Sequence, residues 1–348
     1  MTPLRQPSLD ALKVVASQLI VLHHLASYGP VAETMYDRFP GLMGWLYDYG
    51  RMAVQVFLVL GGYLAAQSLT PAMAGQAKVL WQSLWRRYLR LAPPFVAALL
   101  LALAAAAVVR PSLNDDFVPG TPTFQQLMAH AMLLHEVVGV EALSAGVWYV
   151  AIDFQLHALL ALLLWVGWRG GHPWPAMALV LLATAASLLL WNRNPDLDDW
   201  SLYFFGAYGL GVAARWAGHD GSTGRRWSGM VAVTLVAALA LALEYRTRIA
   251  LALGVALWLG LTQGHTLTRV PALIERGLAT LGRSSYALFL VHFPVLLLGN
   301  ALFEAQEWST PFAGLAMYTT LWAVSVLLGA VFELWVEAPL ARWVRPRS

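Results

Sequence analysis

Lys13 and His24 stand eleven residues apart in LDALKVVASQLIVLHH, within a stretch, Ser8–Ser27, long and apolar enough to be read as a membrane-spanning helix. At about 100° and 1.5 Å per residue, eleven steps return to within about 20° of the same face and climb roughly 16 Å. One stripe then carries an ammonium near one membrane surface and an imidazole deep in the other half. Ionisable groups in a spanning helix are costly and by default mark a functional site, an ammonium holding an anion and an imidazole moving protons. Taken singly, Lys13 also suits a snorkelling anchor and His24 an interhelical hydrogen bond. His23, about 100° round the helix, faces elsewhere and packs or orients.

Other stretches carry groups of the same kind. WRRYLRLAPPF places Arg86, Arg87 and Arg90 on about one helical turn, which Pro93 and Pro94 are expected to end; Arg86 and Arg90 share a face. With Lys78, and no acid from Thr70 to Pro94, this cluster suits anionic lipid headgroups or a phosphate clamp for a nucleotide-bearing donor such as a coenzyme A thioester. WYVAIDFQLHALLALLLW holds Asp153 about six residues, or roughly 9 Å, inside its helix, a depth comparable with that of His24. A carboxylate beside an imidazole fixes its tautomer and supports the other nitrogen as a general base, so Asp153 is expected to orient His24. LGRSSYALFLVHFPVLLLG adds Ser285 and a mid-membrane His292, and VFLVLGGYL adds Tyr63 beside Gly61 and Gly62, a pair suited to close packing. Tyr63, Ser285 and His292 are the further candidates for lining a site. His157 reads as a structural hydrogen-bonder, and His130, His135, His172, His219 and His265 fall in rims and connections. No HExxH or similar spacing is present, so no metal site is expected, and zero cysteines remove disulfides and thiolate chemistry.

Helices of bilayer length must position these groups. The chain is 59% hydrophobic and 12% charged, with sixteen Trp, whereas soluble domains carry about 25% charge. An all-α, polytopic membrane bundle follows, with candidate spans at roughly 9–27, 52–69, 93–109, 147–166, 174–191, 202–216, 229–243, 248–263, 284–302 and 313–334. The first is expected to be retained and not cleaved. Phe124–Val138 is amphipathic and expected at the surface or re-entrant. With the N-terminus inside, 16 of the 22 Lys and Arg fall on the inner side, including Arg5, Arg169, Arg269, Arg345 and Arg347. Acids concentrate outside, at Asp115, Asp116, Glu136 and Glu141 and again at Asp196, Asp198 and Asp199. About ten transmembrane helices with both termini cytoplasmic fit this best. The longest connection, 110–146, is too short to bury its own core, so residues 1–348 are expected to form one integral membrane domain with no fused soluble domain. The basic residues follow membrane topology, which leaves no nucleic-acid surface.

In their order, these motifs resemble the acyltransferase 3 family of integral membrane proteins over nearly the whole chain. The resemblance rests on the basic-x10-His spacing of Lys13 and His24, on VFLVLGGYL, on RRYLRLAPPF, on the Trp148 segment and on LGRSSYALFLVHFPV. Here Lys13 replaces the more usual arginine, Gly61 stands where serine is usual, and Tyr149 and Asp153 replace the serine and glutamate of a Trp-Ser-Leu-x-x-Glu pattern. The resemblance implies transfer of an acyl group, most often acetyl, from cytoplasmic acyl-CoA to a hydroxyl of an extracytoplasmic or membrane-bound glycan, glycolipid or other acceptor. The enzyme would be multi-pass in the plasma membrane and hold no bound cofactor, acetyl-CoA or another acyl-CoA being its donor substrate. His24 and Asp153 are then expected to be catalytic, with Lys13, Arg86, Arg87 and Arg90 binding the donor. A transporter or flippase for an acidic or glycosylated lipid would also use intramembrane charges and a basic inner rim, although no inverted repeat is visible.

Overall fold

The structure is a computed structural model that describes residues 7–69, 77–113, 115–168, 172–217, 223–263 and 271–344. Arg5, Arg169, Arg269, Arg345 and Arg347, and likewise His219 and His265, lie outside the described residues. The regular elements among the described residues are all helical. In chain order they are α1 (Pro7–Leu25), α2 (Gly29–Arg38), α3 (Pro40–Tyr49), α4 (Val54–Leu69), α5 (Ala77–Val109), α6 (Phe124–Ala131), α7 (Trp148–Gly167), α8 (Pro173–Leu189), α9 (Ser201–Ala217), α10 (Thr223–Leu243), α11 (Thr247–Thr262), α12 (Ala272–Arg283), α13 (Ser285–Ala305), α14 (Pro311–Phe332) and α15 (Ala338–Val344).

Among the described residues, six helical stretches are long and apolar enough to cross a membrane: Pro40–Leu69, Ala77–Val109, Trp148–Gly167, Trp174–Arg193, Ser285–Ala305 and Pro311–Trp343. The pair α1 and α2, bent by 94°, makes a seventh if it counts as one broken span. Trp227–Leu243 and Thr247–Thr262 are apolar but shorter. Sixteen residues rise only about 24 Å, against the roughly 30 Å of a hydrocarbon core, which is why several expected spans fall short of that length.

Two compact units emerge from the contacts. The first comprises the described residues of Met1–Ala53, Arg90–Trp148 and Leu267–Ser348. In it α1 packs against α12, α13 and α14, and the core gathers Val21, Leu25, Met35 and Leu46 with Ala102, Ala106, Leu296 and Leu321. The bend after α1 has a local cause. Gly29 has φ +80°, Pro30 opens α2, and the Asn300 side chain accepts from the Val31 N–H at 3.1 Å, satisfying a donor at the start of α2.

The second unit comprises the described residues of Val54–Leu89 and Tyr149–Thr266. Its centre is α9, packed on α4, α8, α10 and α11, with fourteen of its seventeen residues buried. A helix apolar on all sides is expected to be enclosed in this way. Glycines permit the closest approach: a Cβ at Gly62 would run into the Tyr208 carbonyl, and one at Gly211 into the Val59 carbonyl, so α4 and α9 meet backbone to backbone.

The prolines of WRRYLRLAPPF do not end their helix. α5 runs without interruption through Pro93 and Pro94, correcting the expected stop. Each proline removes one N–H from the ladder, a loss that membrane helices tolerate, and the same turn is tied to α13 by the Tyr286 hydroxyl, which donates to the Leu91 carbonyl at 3.0 Å. The amphipathic segment after Phe124 forms α6, opened by a capping box in which Thr123 and Gln126 bond reciprocally.

Candidate active site

In the first unit, His24 near the end of α1 meets His292 in the middle of α13. His24 Nδ1 lies 2.7 Å from His292 Nε2, and the two ring planes are within 5° of parallel. Both residues are buried. His292 Nδ1 lies 2.7 Å from the Phe289 carbonyl, which can only accept, so that nitrogen carries a proton. With both rings neutral, His292 Nε2 is then the acceptor, His24 Nδ1–H donates to it, and His24 Nε2 keeps its lone pair. That is the tautomer a general base requires. Tyr28 stacks on His24 with centroids 5.8 Å apart, and Gly146, at φ +75°, lies so that a Cβ would come within 3.5 Å of His24 Cε1. His23 points its Nδ1 at the Leu46 carbonyl, 3.1 Å away, which ties the end of α1 to α3.

The other expected residues of this unit occupy separate places. Lys13 lies 3.8 Å from Asp10, one turn earlier on α1. Ser285 donates to the Gly282 carbonyl at 3.0 Å, binding the start of α13 to the end of α12. Arg90 is exposed on α5.

The second unit holds a polar ladder between α5 and α7. Arg87 forms an ion pair with Asp153, and one turn away the Ser83 hydroxyl lies 3.0 Å from His157 Nε2. Ser83 and Arg87 are four residues apart on one helix, as are Asp153 and His157 on the other, so the two rungs share one interface. Asp153 and His157 are buried, whereas Arg86, next in sequence, is exposed. Asp153 thus spends Oδ2 on a guanidinium, and the ring hydrogen-bonded to His24 is His292. Tyr208 sits close by, fully buried: a Cβ at Gly61 would lie 3.1 Å from Tyr208 Cε2 and 3.7 Å from Asp153 Oδ1. Tyr63 is also buried, with the Arg215 guanidinium 5.7 Å from its ring centroid.

Sequence reasoning placed His292 among lining residues and missed its bond to His24, because a pair 268 residues apart leaves no local periodicity. It also passed over Ser83 and Tyr208. Ser83 had a readable signal, the matched i, i+4 polar spacing on two apolar helices; Tyr208 had none.

Regular elements that are all helical among the described residues, several of them able to cross a bilayer, and a buried, tautomer-fixed histidine pair fit an integral membrane enzyme. The chain belongs to the acyltransferase 3 family, whose model, described as an acyltransferase domain, matches residues 6–334. It is also 26% identical over 198 residues to the protein named regulator of hypoxia-inducible factor 1 from Caenorhabditis elegans, a match covering 52% of this chain and 38% of that relative. No solved structure matches.

Proposed function

We propose that the protein is a membrane O-acyltransferase moving an acyl group, in the simplest case acetyl, from cytoplasmic acyl-CoA to a hydroxyl of an extracytoplasmic or membrane-bound glycan or related acceptor. The observation that carries this reading is the relay from the Phe289 carbonyl through His292 to His24, which leaves His24 Nε2 unprotonated with its lone pair free. His24 Nε2 takes the acceptor's hydroxyl proton as its oxygen attacks the thioester carbonyl. The C–S bond breaks as the ester forms, and the departing thiolate takes the proton from His24. The positive charge that His24 holds in between is stabilised by the lone pair of His292 Nε2. This gives His292 the orienting role that spacing had suggested for Asp153, and Asp153 instead holds Arg87. Arg86 and Arg90, exposed on α5, suit the donor's phosphates, and Lys13 steadies the same anionic donor.

A ten-span bundle in the plasma membrane, with both termini cytoplasmic, accords with the distribution of Lys and Arg. The test is to incubate the purified protein with radiolabelled acetyl-CoA and an extracted envelope fraction. Label recovered in an ester released by hydroxylamine supports the reading. A protein that neither binds nor turns over acetyl-CoA rules it out.

A further inference from the structure

A small pocket in the first unit stands beside the histidine pair. Its walls include Phe95, Ala98 and Leu99 of α5, Val147, and Phe289 and Leu290 of α13, all of them buried. About 10 Å³ is open to the centre of a water-sized group, room for one water or one methyl. Ser144 supplies the one polar side chain of the lining, so a water there finds a single side-chain partner where about three are usual. An apolar guest suits this lining better.

Gly146 fixes how far the pocket lies from the chemistry. Its neighbours Ala145 and Val147 both line the pocket, and Gly146 itself, at φ +75°, carries no side chain between them. A Cβ there would lie 3.0 Å from Phe289 Cζ, in the pocket wall, and 3.5 Å from His24 Cε1, the carbon bonded to the free Nε2. Wall and base are thus separated by about the width of one small group. During transfer the acceptor oxygen lies within about 3 Å of Nε2, and the thioester carbon about 3 Å from that oxygen. The acyl chain therefore begins at the remove at which the wall stands.

We propose that this pocket receives the methyl end of the acyl group and limits the donor to short chains, acetyl before propionyl, with Leu99 and Val147 setting the limit. The inference rests on the acyl-transfer reading above and adds chain-length selectivity to it. One methylene beyond what an apolar pocket holds is worth about 10- to 200-fold in kcat/KM.

The experiment gives the purified full-length protein, in lipid nanodiscs, an extracted envelope fraction and equimolar acetyl-, propionyl- and butyryl-CoA, each labelled in the acyl carbonyl. Product esters are released with hydroxylamine and separated by chain length. The wild type is expected to transfer acetyl at least about 10-fold faster than propionyl, and butyryl more slowly still. Val147→Ala and Leu99→Ala each enlarge the pocket, and each is expected to raise the propionyl-to-acetyl ratio about 10-fold. The ratio is read within one sample, so a smaller folded fraction does not move it. A wild type that transfers all three chains equally, or a ratio unmoved in both variants, overturns the proposal and leaves the acyl-transfer reading standing. A wild type that transfers none of the three overturns that reading, and this proposal with it.

Discussion

His24 Nδ1 and His292 Nε2 lie 2.7 Å apart, and the second nitrogen of His292 faces the Phe289 carbonyl at the same distance. A backbone carbonyl thus sets the proton positions of both rings. Removing the relay by His292→Ala is expected to lower kcat for acyl transfer by roughly 10- to 100-fold, with the KM for the donor little changed, since the ring acts through His24. His292→Gln presents a carbonyl oxygen that can take the Nδ1 proton, and should recover part of the loss. Steady-state label transfer with the three proteins checks both effects.

Gly146 and Gly139 form a matched pair. Both have positive φ, +75° and +64°, but a Cβ at Gly146 would lie 3.0 Å from the Phe289 ring and 3.5 Å from His24, while one at Gly139 meets nothing within 4 Å. Gly139→Ala should cost about 1 kcal/mol of stability from the left-handed backbone alone and leave turnover intact. Gly146→Ala should cost more and also reduce kcat, because the methyl presses on the ring whose carbonyl orients His292. Thermal unfolding and activity, measured on both variants, separate strain from crowding.

The Arg87–Asp153 pair is largely buried, with side chains 24% and 8% exposed. Asp153→Ala strands the guanidinium and is expected to destabilise the protein by roughly 3 kcal/mol. Replacing both partners, Arg87→Met with Asp153→Leu, should restore most of that stability without restoring activity. Unfolding in detergent checks the first part and label transfer the second. A double variant no more stable than Asp153→Ala would mean that the pair's contribution is not electrostatic.

Much of this was readable from residues alone. The eleven-residue step from Lys13 to His24 identified α1 and its imidazole, and apolar length identified the long helices. Two kinds of information were hidden. Pro93 and Pro94 looked like a stop because local chemistry disfavours proline within helices, yet α5 continues and the turn gains a bond from Tyr286, far away in sequence. Partner choice was hidden for the same reason: Asp153 pairs with Arg87 and His24 with His292, and the side-chain directions that make such pairs are set by packing between helices far apart in sequence. The i, i+4 match of Ser83 and Arg87 with Asp153 and His157 was the one tertiary signal present in the sequence and unused.

Acid sensitivity should reside outside the spans. His130 and His135, at the end of α6 and just beyond it, stack with centroids 4.2 Å apart and pack on Phe95. His130 Nδ1 faces the Gln126 carbonyl and its Nε2 accepts from the Leu143 N–H, so this ring is neutral in the fold. Burial, and then the neighbouring His130, push His135 down to about 4, with Glu136 Oε1 the facing carboxylate at 3.6 Å. Unfolded, His135 binds its proton near pH 6.5, so between about 6.5 and 4 the unfolded chain holds more protons and stability falls as pH falls. The loss should approach about 3 kcal/mol by pH 4. His135→Phe keeps the stack and should flatten this part of the pH–stability curve. An unchanged acid limb would place the sensitivity elsewhere.

The central claim is that His24 is the base in acyl transfer. The direct measurement is transfer of label from radiolabelled acetyl-CoA to an extracted envelope fraction, by wild type and by a His24→Ala variant matched in yield and unfolding midpoint. Loss of at least about 100-fold in the variant, with acetyl-CoA still bound, is the predicted result. Transfer by the variant at the wild-type rate would contradict it.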